Sequence, residues 1–192
     1  MASDQVADQT ARATNLNGCR SRVTGCGYTA RPAAWSGMGF RIEPMTLSDL
    51  ASVLAEHDQF WGERDLRFLH ERVFVQEFGD TCLTAREADG RIAGYLIGFT
   101  TPRRIGYIHG VAVRSTVRGT GYGRALYQAF AAAAATHGAD RLKAITSVTN
   151  TGSIGFHRQL GFQVRQVDDY DGPGAPMMVM TRPLSVPAQS AR

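Results

Sequence analysis

Residues 113–127 combine three closely spaced glycines with arginines at the junction of a predicted strand and a predicted helix. The backbone N–H groups that begin a helix have no partner within it, and the helix dipole favours an anion beside them. Gly119, Gly121 and Gly123 remove side chains that would keep an anion at a distance, while Arg118 and Arg124 add positive charge. The pattern therefore predicts a phosphate or pyrophosphate site, and a plain tight turn is the alternative.

A Rossmann dinucleotide site is a competing interpretation of the glycines. It requires an early strand–turn–helix unit and an acidic residue about 20 positions further on. Here the third glycine comes one residue too early, and no repeated βαβ unit follows. The Rossmann interpretation is therefore rejected.

A second motif, at residues 150–162, gives the first one a specific meaning. Asn150 is followed by Ser153, Phe156 and His157, and then by Gly161-Phe162. Together with Arg118, Gly121 and Gly123, this order resembles the GNAT superfamily of N-acetyltransferases. In that superfamily the glycine motif follows the fourth strand, and the asparagine motif surrounds the helix after the fifth. The resemblance covers about residues 40–183.

The resemblance implies that the anion is the pyrophosphate of acetyl-CoA. Strands four and five of the family separate, and the pantetheine lies between them. Carried over residue by residue, the expected cofactor contacts are Val111, Ala112, Val113, Arg118, Gly119, Thr120, Gly121, Tyr122, Gly123, Arg124, Asn150, Ser153 and His157. Asn150 is also a natural helix N-cap, and the two roles are compatible.

Acetyl transfer to an amine needs a neutral nitrogen, a stabilised oxyanion and a proton for the departing thiolate. Related enzymes commonly use a glutamate early in strand four as base, but this chain has Tyr107 there. His109 follows, and strand alternation predicts that it shares a face with Tyr107 and Val111. An imidazole titrates near neutrality, so His109 is the predicted base, with filling of the cleft or a hydrogen bond to a neighbour as the alternative.

The predicted acid is His157, because the resemblance places it where many relatives have a tyrosine. Ser153 lies one helical turn earlier and is included as an intermediary. Packing of His157 against the pantetheine is the alternative. Direct attack in a ternary complex is expected, without a covalent acyl-enzyme.

Two segments are candidates for binding the acceptor. The first contains Trp61, Glu63 and Asp65, in a region that walls the acceptor site of related proteins. The second is the acidic loop at residues 168–176, with Asp169, Tyr170 and Asp171, whose carboxylates would attract a cationic amine; a solvated acidic turn is the alternative. Tyr107 completes the set. His57, His70 and His137 are expected in surface or capping roles.

Hydrophobic periodicity and turn residues predict a mixed α/β domain in the order β-α-α-β-β-β-α-β-α-β-β. The predicted strands are 40–43, 81–87, 91–100, 107–113, 141–147, 162–167 and 177–181; the predicted helices are 47–57, 63–78, 121–137 and 151–160. Residues 1–37 are predicted to be a disordered extension, 38–184 the acetyltransferase domain and 185–192 a flexible tail.

Composition limits the remaining classes. Part of the formal charge of +4 lies in the first 38 residues. The sequence predicts no basic helix of the kind that binds nucleic acid, so nucleic-acid binding is not expected. Three cysteines without metal-ligand spacing and the lack of a long apolar run predict a cytoplasmic protein without a membrane or metal partner. The expected function is acetylation of a small-molecule primary amine. Two alternatives remain: acetylation of a protein lysine or N-terminus, and a non-catalytic acyl-CoA sensor. A homodimer is expected only because dimers are frequent among the relatives.

Overall fold

The fold is a seven-stranded mixed sheet with helices on both faces, and the computed structural model describes residues 39–184. Its strand order is β1-β2-β3-β4-β5-β7-β6, and β4–β5 is the one parallel pair in this sheet. The strands are β1 (Arg41–Pro44), β2 (Leu83–Arg86), β3 (Ile92–Thr100), β4 (Ile105–Val113), β5 (Arg141–Ser147), β6 (Gln163–Val167) and β7 (Met177–Pro183). The helices are α1 (Leu47–Ala55), α2 (His57–Trp61), α3 (Arg72–Glu77), α4 (Tyr122–Thr136) and α5 (Thr151–Gln159).

Each face of the sheet has its own hydrophobic core. On one face, α4 and α5 pack through residues such as Leu126, Tyr127 and Phe130. On the opposite face, α1, α2 and α3 cover β2–β4 through residues such as Leu50, Phe60 and Val75. The predicted mixed α/β class is therefore confirmed, and the strand order leaves β4 and β5 at the centre of the sheet.

The chain between β1 and β2 departs from the predicted pair of helices. The first predicted helix is interrupted at Glu56, and Gly62 ends α2 with a positive φ of 63°. Residues 63–78 contain a single 3-10 turn at Arg67–Leu69 and then α3, so the predicted long second helix is wrong. Val73 of α3 and Phe78 at its C-cap are 50% and 37% exposed.

The hydrogen bonds of two buried histidines explain this departure. The backbone N–H of Leu66 donates to His57 Nε2 at 3.3 Å, and His70 Nδ1 donates to the Leu66 carbonyl at 3.0 Å. These contacts hold the chain in a compact turn that local periodicity does not reveal. His57 and His70 are 1% and 6% exposed, so their predicted surface roles are wrong. His137 is the C-cap of α4 and pairs with Asp80, as a capping role requires.

Two other predictions concern the two ends of the chain. The predicted extension (1–37) and tail (185–192) lie outside the described residues. Within residues 39–184, no helix is long and apolar enough to cross a membrane.

Candidate active site

The two central strands separate halfway along their length. β4 and β5 pair in parallel from Ile105 opposite Arg141 to Ile108 opposite Ala144, and the pairing ends there. β4 continues to Val113 and β5 to Ser147. The edge of β4 beyond Ile108 therefore has no ladder with β5 in the described chain, and its backbone groups on that side are available to an extended ligand.

A β-bulge lies at the point of separation. Ile108 is opposite Gly98 and Gly110 is opposite Ile97, so His109 is an extra residue in β4. The extra residue shifts the alternation of side chains beyond it. Val111 and Val113 pack against the core formed with α4, whereas Ala112 belongs to the core on the opposite face. The predicted grouping of His109 with Val111 is therefore wrong.

His109 and Tyr107 lie on the sheet face covered by α3. The ring of His109 lies 4.4 Å from the Phe74 ring of α3, and Phe99 connects Phe74 to Tyr107 through ring distances of 5.8 and 5.3 Å. These rings form an aromatic floor that runs from α3 to β4. It leads to the place where β4 and β5 part.

The hydrogen bonding of His109 fixes its tautomer. Its Nε2 lies 3.1 Å from the Leu69 carbonyl oxygen, which only accepts hydrogen bonds, so Nε2 carries the proton. Nδ1 is then the basic atom of the neutral ring. Burial lowers the pKa of His109, with partial opposition from the Leu69 hydrogen bond, so the ring is neutral at pH 7.

A buried polar network supports the turn that carries Leu69. Trp61 Nε1 donates to the Tyr95 hydroxyl at 2.6 Å, and that hydroxyl donates to His70 Nε2 at 2.6 Å. The same His70 ring donates from Nδ1 to the Leu66 carbonyl, three residues before Leu69. Burial lowers the pKa of His70, which keeps this ring in the neutral form that the network requires. Sequence reasoning did not find Tyr95 or His70.

The glycine turn before α4 has the geometry of an anion cradle. Gly119 and Gly121 have φ values of 81° and 102°, a region that favours glycine, and Gly121 is the N-cap of α4 without a side-chain cap. The first N–H groups of α4 are therefore left for a ligand, as a pyrophosphate site requires. Gly123 has a different role: a Cβ there would approach the Phe156 ring at 3.1 Å, so this glycine allows α4 to pack closely on α5.

The side chains around this cradle have defined positions. Arg118 donates to the Val113 carbonyl at 3.2 Å and to the Phe60 carbonyl at 2.6 Å, so it ties the turn to α2. Thr120 donates to the Val117 carbonyl, and Arg124 is exposed at the start of α4. Tyr122 is 8% exposed, with its ring packed on Phe40, and it offers the cradle its backbone rather than its hydroxyl.

Asn150 caps α5 as the second motif predicts. Its Oδ1 accepts from the Ser153 backbone N–H at 3.2 Å, and its Nδ2 donates to the Thr146 hydroxyl at 2.9 Å. The capping role is confirmed, and contact with the cofactor stays a prediction.

His157 faces the protein core rather than the gap between β4 and β5. Its Nδ1 donates to the Ser153 carbonyl at 2.7 Å, so its Nε2 accepts from the Tyr127 hydroxyl at 2.7 Å. The ring is 2% exposed, and burial lowers its pKa. Ser153 Oγ lies 3.3 Å from Nδ1, which already has a closer partner. This geometry favours a packing role for His157 over direct protonation of the thiolate.

The acidic loop at residues 168–176 is organised by its own carboxylates. Asp169 accepts from the Gly174 N–H at 2.8 Å, and Asp168 accepts from Gln166 at 2.8 Å. Tyr170 lies under the ammonium of Lys143, 4.9 Å from ring centroid to Nζ. Burial, with smaller contributions from Tyr170 and Asp171, raises the pKa of Tyr107 to about 12. The loop therefore reaches the face of β4 that carries Tyr107.

The other predicted acceptor segment is less enclosed. Trp61 is half-buried through its bond to Tyr95, and the Arg64 guanidinium lies 5.3 Å from its ring. Glu63 and Asp65 are exposed, and Asp65 pairs with Arg67 at 3.1 Å. Backbone hydrogen bonding at Arg67 lowers the pKa of Asp65. Trp61 alone of these three is part of the buried network described above.

Comparison with known proteins identifies the class of this fold and site. Residues 49–162 match the model of the acetyltransferase (GNAT) family, which covers more than half of the chain. The chain therefore belongs to this family, whose members use acetyl-CoA as cofactor, and an N-acetyltransferase activity in general is supported.

Three solved structures with the same fold illustrate the likeness, each at a sequence identity of 20% or less. The ribosomal-protein-S18-alanine N-acetyltransferase of Escherichia coli is 18% identical, with a TM-score of 0.61, covering 80% of this chain and 99% of that one. Ard1 of Thermoplasma volcanium is 19% identical at a TM-score of 0.63, covering 77% and 99%. The putative acetyltransferase yncA of Salmonella typhimurium, solved with its cofactor acetyl-CoA, is 20% identical at 0.58, covering 80% and 98%. At these identities, the likeness is one of fold.

Proposed function

We propose that this chain is an N-acetyltransferase that transfers acetyl from acetyl-CoA to a primary amine of a small molecule, by direct attack in a ternary complex. The observation that carries the proposal is His109 at the point where β4 and β5 separate, with its tautomer fixed by Leu69. Acetyl-CoA supplies an activated thioester. The cradle at residues 118–124 would hold its pyrophosphate, and the unpaired edge of β4 would hold its pantetheine.

His109 is proposed to receive the proton of the acceptor nitrogen. The Nε2–H bond to the Leu69 carbonyl leaves Nδ1 with its lone pair, and burial keeps the ring neutral at pH 7. A base that is neutral and oriented contributes about 10²–10⁴ to a rate. The Trp61–Tyr95–His70 network is proposed to position this base, because it holds the turn whose carbonyl fixes the tautomer.

The test is thiol release from acetyl-CoA in the presence of a panel of amino acids, polyamines, aminoglycosides and short peptides. The substitution His109→Gln should lower kcat at least about 100-fold while leaving acetyl-CoA affinity unchanged, since the imidazole faces the acceptor side. His137→Gln is the matched control, because His137 is a partly exposed cap at the far end of α4. An unchanged rate and pH profile in the His109 variant would remove His109 as base.

The panel also separates the alternatives. Turnover of peptides alone would favour acetylation of a protein amino group, and tight acetyl-CoA binding without turnover on any amine would favour a sensor. The cytoplasmic location and the homodimer stay predictions. Size-exclusion chromatography with light scattering tests the latter.

A further inference from the structure

The one lysine of this chain occupies a position on the acceptor side of the sheet. All other basic side chains except histidines are arginines. Lys143 lies on β5, directly opposite Tyr107 of β4, one residue before the parallel pairing ends. Its neighbours in β5, Leu142 and Ala144, belong to the core formed with α4, so alternation directs Lys143 to the opposite face, with Tyr107 and His109.

Lys143 is half-buried, yet it has no acidic partner among residues 39–184. The Lys143 ammonium makes a cation–π contact with the Tyr170 ring, with Nζ 4.9 Å from the ring centroid. Two arginines of the same domain that are buried or partly buried do have carboxylates: Arg86 pairs with Asp49 and Glu43, and Arg114 with Glu56. The partly buried Arg182 instead donates to the Leu160 carbonyl and lies over the Phe162 ring. A partly desolvated ammonium without a counter-ion attracts an anion more strongly than a solvated one does.

The spacing of Lys143 and His109 suits a small zwitterion. Paired strands lie about 4.8 Å apart, but β4 is bulged at His109 and has separated from β5 there, so the two residues lie on opposite sides of a gap wider than a regular strand spacing. The Lys143 side chain covers part of that gap. An amine held at His109 Nδ1 would place a carboxylate on the adjacent carbon atoms within reach of the ammonium.

The neighbouring groups favour a carboxylate over a dianionic phosphate. Tyr107 has a neutral hydroxyl at pH 7, since its pKa is about 12, and it can donate to an anion. A single ammonium beside a neutral phenol is matched to one negative charge.

We propose that Lys143 binds a carboxylate of the acceptor, so that the substrate class is an amino acid or a similar amino carboxylate. This inference rests on the proposed function, because it concerns the acceptor of the same reaction. It concerns the carboxylate end of the acceptor, and two of the three acidic-loop carboxylates, Asp168 and Asp169, are engaged within the loop itself.

The test compares each acceptor acid with its amide, using the pairs glycine/glycinamide and phenylalanine/phenylalaninamide. The acid-to-amide ratio of kcat/KM is measured for the wild type, Lys143→Met and Lys143→Arg. Taking the ratio between enzymes cancels the different basicities of the two amines. We expect Lys143→Met to lower the acid-to-amide ratio about tenfold or more through KM for the acid, and Lys143→Arg to keep most of it.

An acid-to-amide ratio that is the same in wild type and Lys143→Met overturns the inference. If the panel contains no acceptor that turns over, calorimetry with N-acetylphenylalanine and its amide in the presence of coenzyme A supplies the same comparison. A preference for the acid that Lys143→Met abolishes supports the inference there, and equal binding overturns it. Failure of the proposed function has a different signature, because it removes turnover of acids and amides alike without changing this binding preference.

Discussion

The hydrogen bond between Tyr127 and His157 allows a direct test of whether His157 is a catalytic acid or part of the core. Tyr127 is fully buried, and its hydroxyl donates to His157 Nε2 at 2.7 Å. Tyr127→Phe removes the donor but keeps the ring, so the acceptor nitrogen is left buried without a partner. Such an unsatisfied group costs about 1–3 kcal/mol. At about 2–4 °C per kcal/mol for a domain of this size, Tm should fall by roughly 2–12 °C.

A double-mutant cycle measures the coupling free energy between Tyr127 and His157. His157→Leu removes the other partner, while the Ser153 carbonyl to which His157 donates keeps its place in the α5 backbone. In the double variant neither buried polar group remains, so its loss of stability should be smaller than the sum of the two single losses. A coupling of about 1–2 kcal/mol, measured by urea unfolding, is expected.

Activity distinguishes the two roles. A general acid contributes about 10²–10⁴ to the rate, so loss of a catalytic His157 would lower kcat at least about 100-fold. A packing residue should instead leave kcat within about fivefold at a temperature where the His157→Leu variant is folded, because the ring is 2% exposed. A 100-fold loss of kcat in His157→Leu, with a Tm equal to that of the wild type, would refute the packing role.

Two further predictions concern the cradle and pH. Gly121→Ala should raise KM for acetyl-CoA and lower the free energy of unfolding by about 1–3 kcal/mol, because a φ of 102° strains any residue with a Cβ. The control is Gly152→Ala, since a Cβ at either position meets nothing within 4 Å. A KM for acetyl-CoA in Gly121→Ala equal to that in Gly152→Ala would contradict the reasoning. Burial lowers the pKa of His70 and His157 below 6.5, so the unfolded state binds more protons below that pH. The free energy of unfolding should therefore be fully retained above pH 6.5 and fall as the pH drops, by up to about 1.4 kcal/mol per pH unit per histidine. Urea titrations at pH 7.5 and 5.5 measure this slope, and a flat profile would count against neutral buried rings.

The parts of the fold that could be predicted from the sequence are those whose signals are local. The antiparallel strands β2 and β3, α4 and β5 follow from turn residues and hydrophobic periodicity, and β5 has the predicted bounds of Arg141–Ser147. Helix periodicity failed at residues 63–78, because the hydrogen bonds of His57 and His70 join that segment to distant residues. No local pattern carries such contacts.

The candidate site likewise contains features with a local sequence signal and features that depend on distant contacts. The glycine turn is recognisable because its backbone conformation requires glycine, whereas the bulge at His109 that moves Val111 to the other face has no sequence signature. His157 occupies the expected position in its motif, yet its role is decided by Tyr127 on another helix. Lys143 could have been singled out as the only lysine, but its significance appears only when β5 is placed beside Tyr107.

The bulge at His109 connects the cofactor side of the site to the acceptor side. Before the bulge, the pairing of β4 with β5 ends at Ile108. After it, Val111 and Val113 face the core beneath α4, and the backbone of this segment has no ladder with β5. A strand of regular alternation would place Val111 on the face of His109 and Gly110 beneath α4. The extra residue leaves the imidazole on the face of Tyr107, as regular alternation would, and moves Val111 to the face beneath α4, while the same segment offers its free edge to an extended ligand. The proposed base and the expected pantetheine edge therefore meet at one backbone irregularity, where the β4–β5 pairing ends.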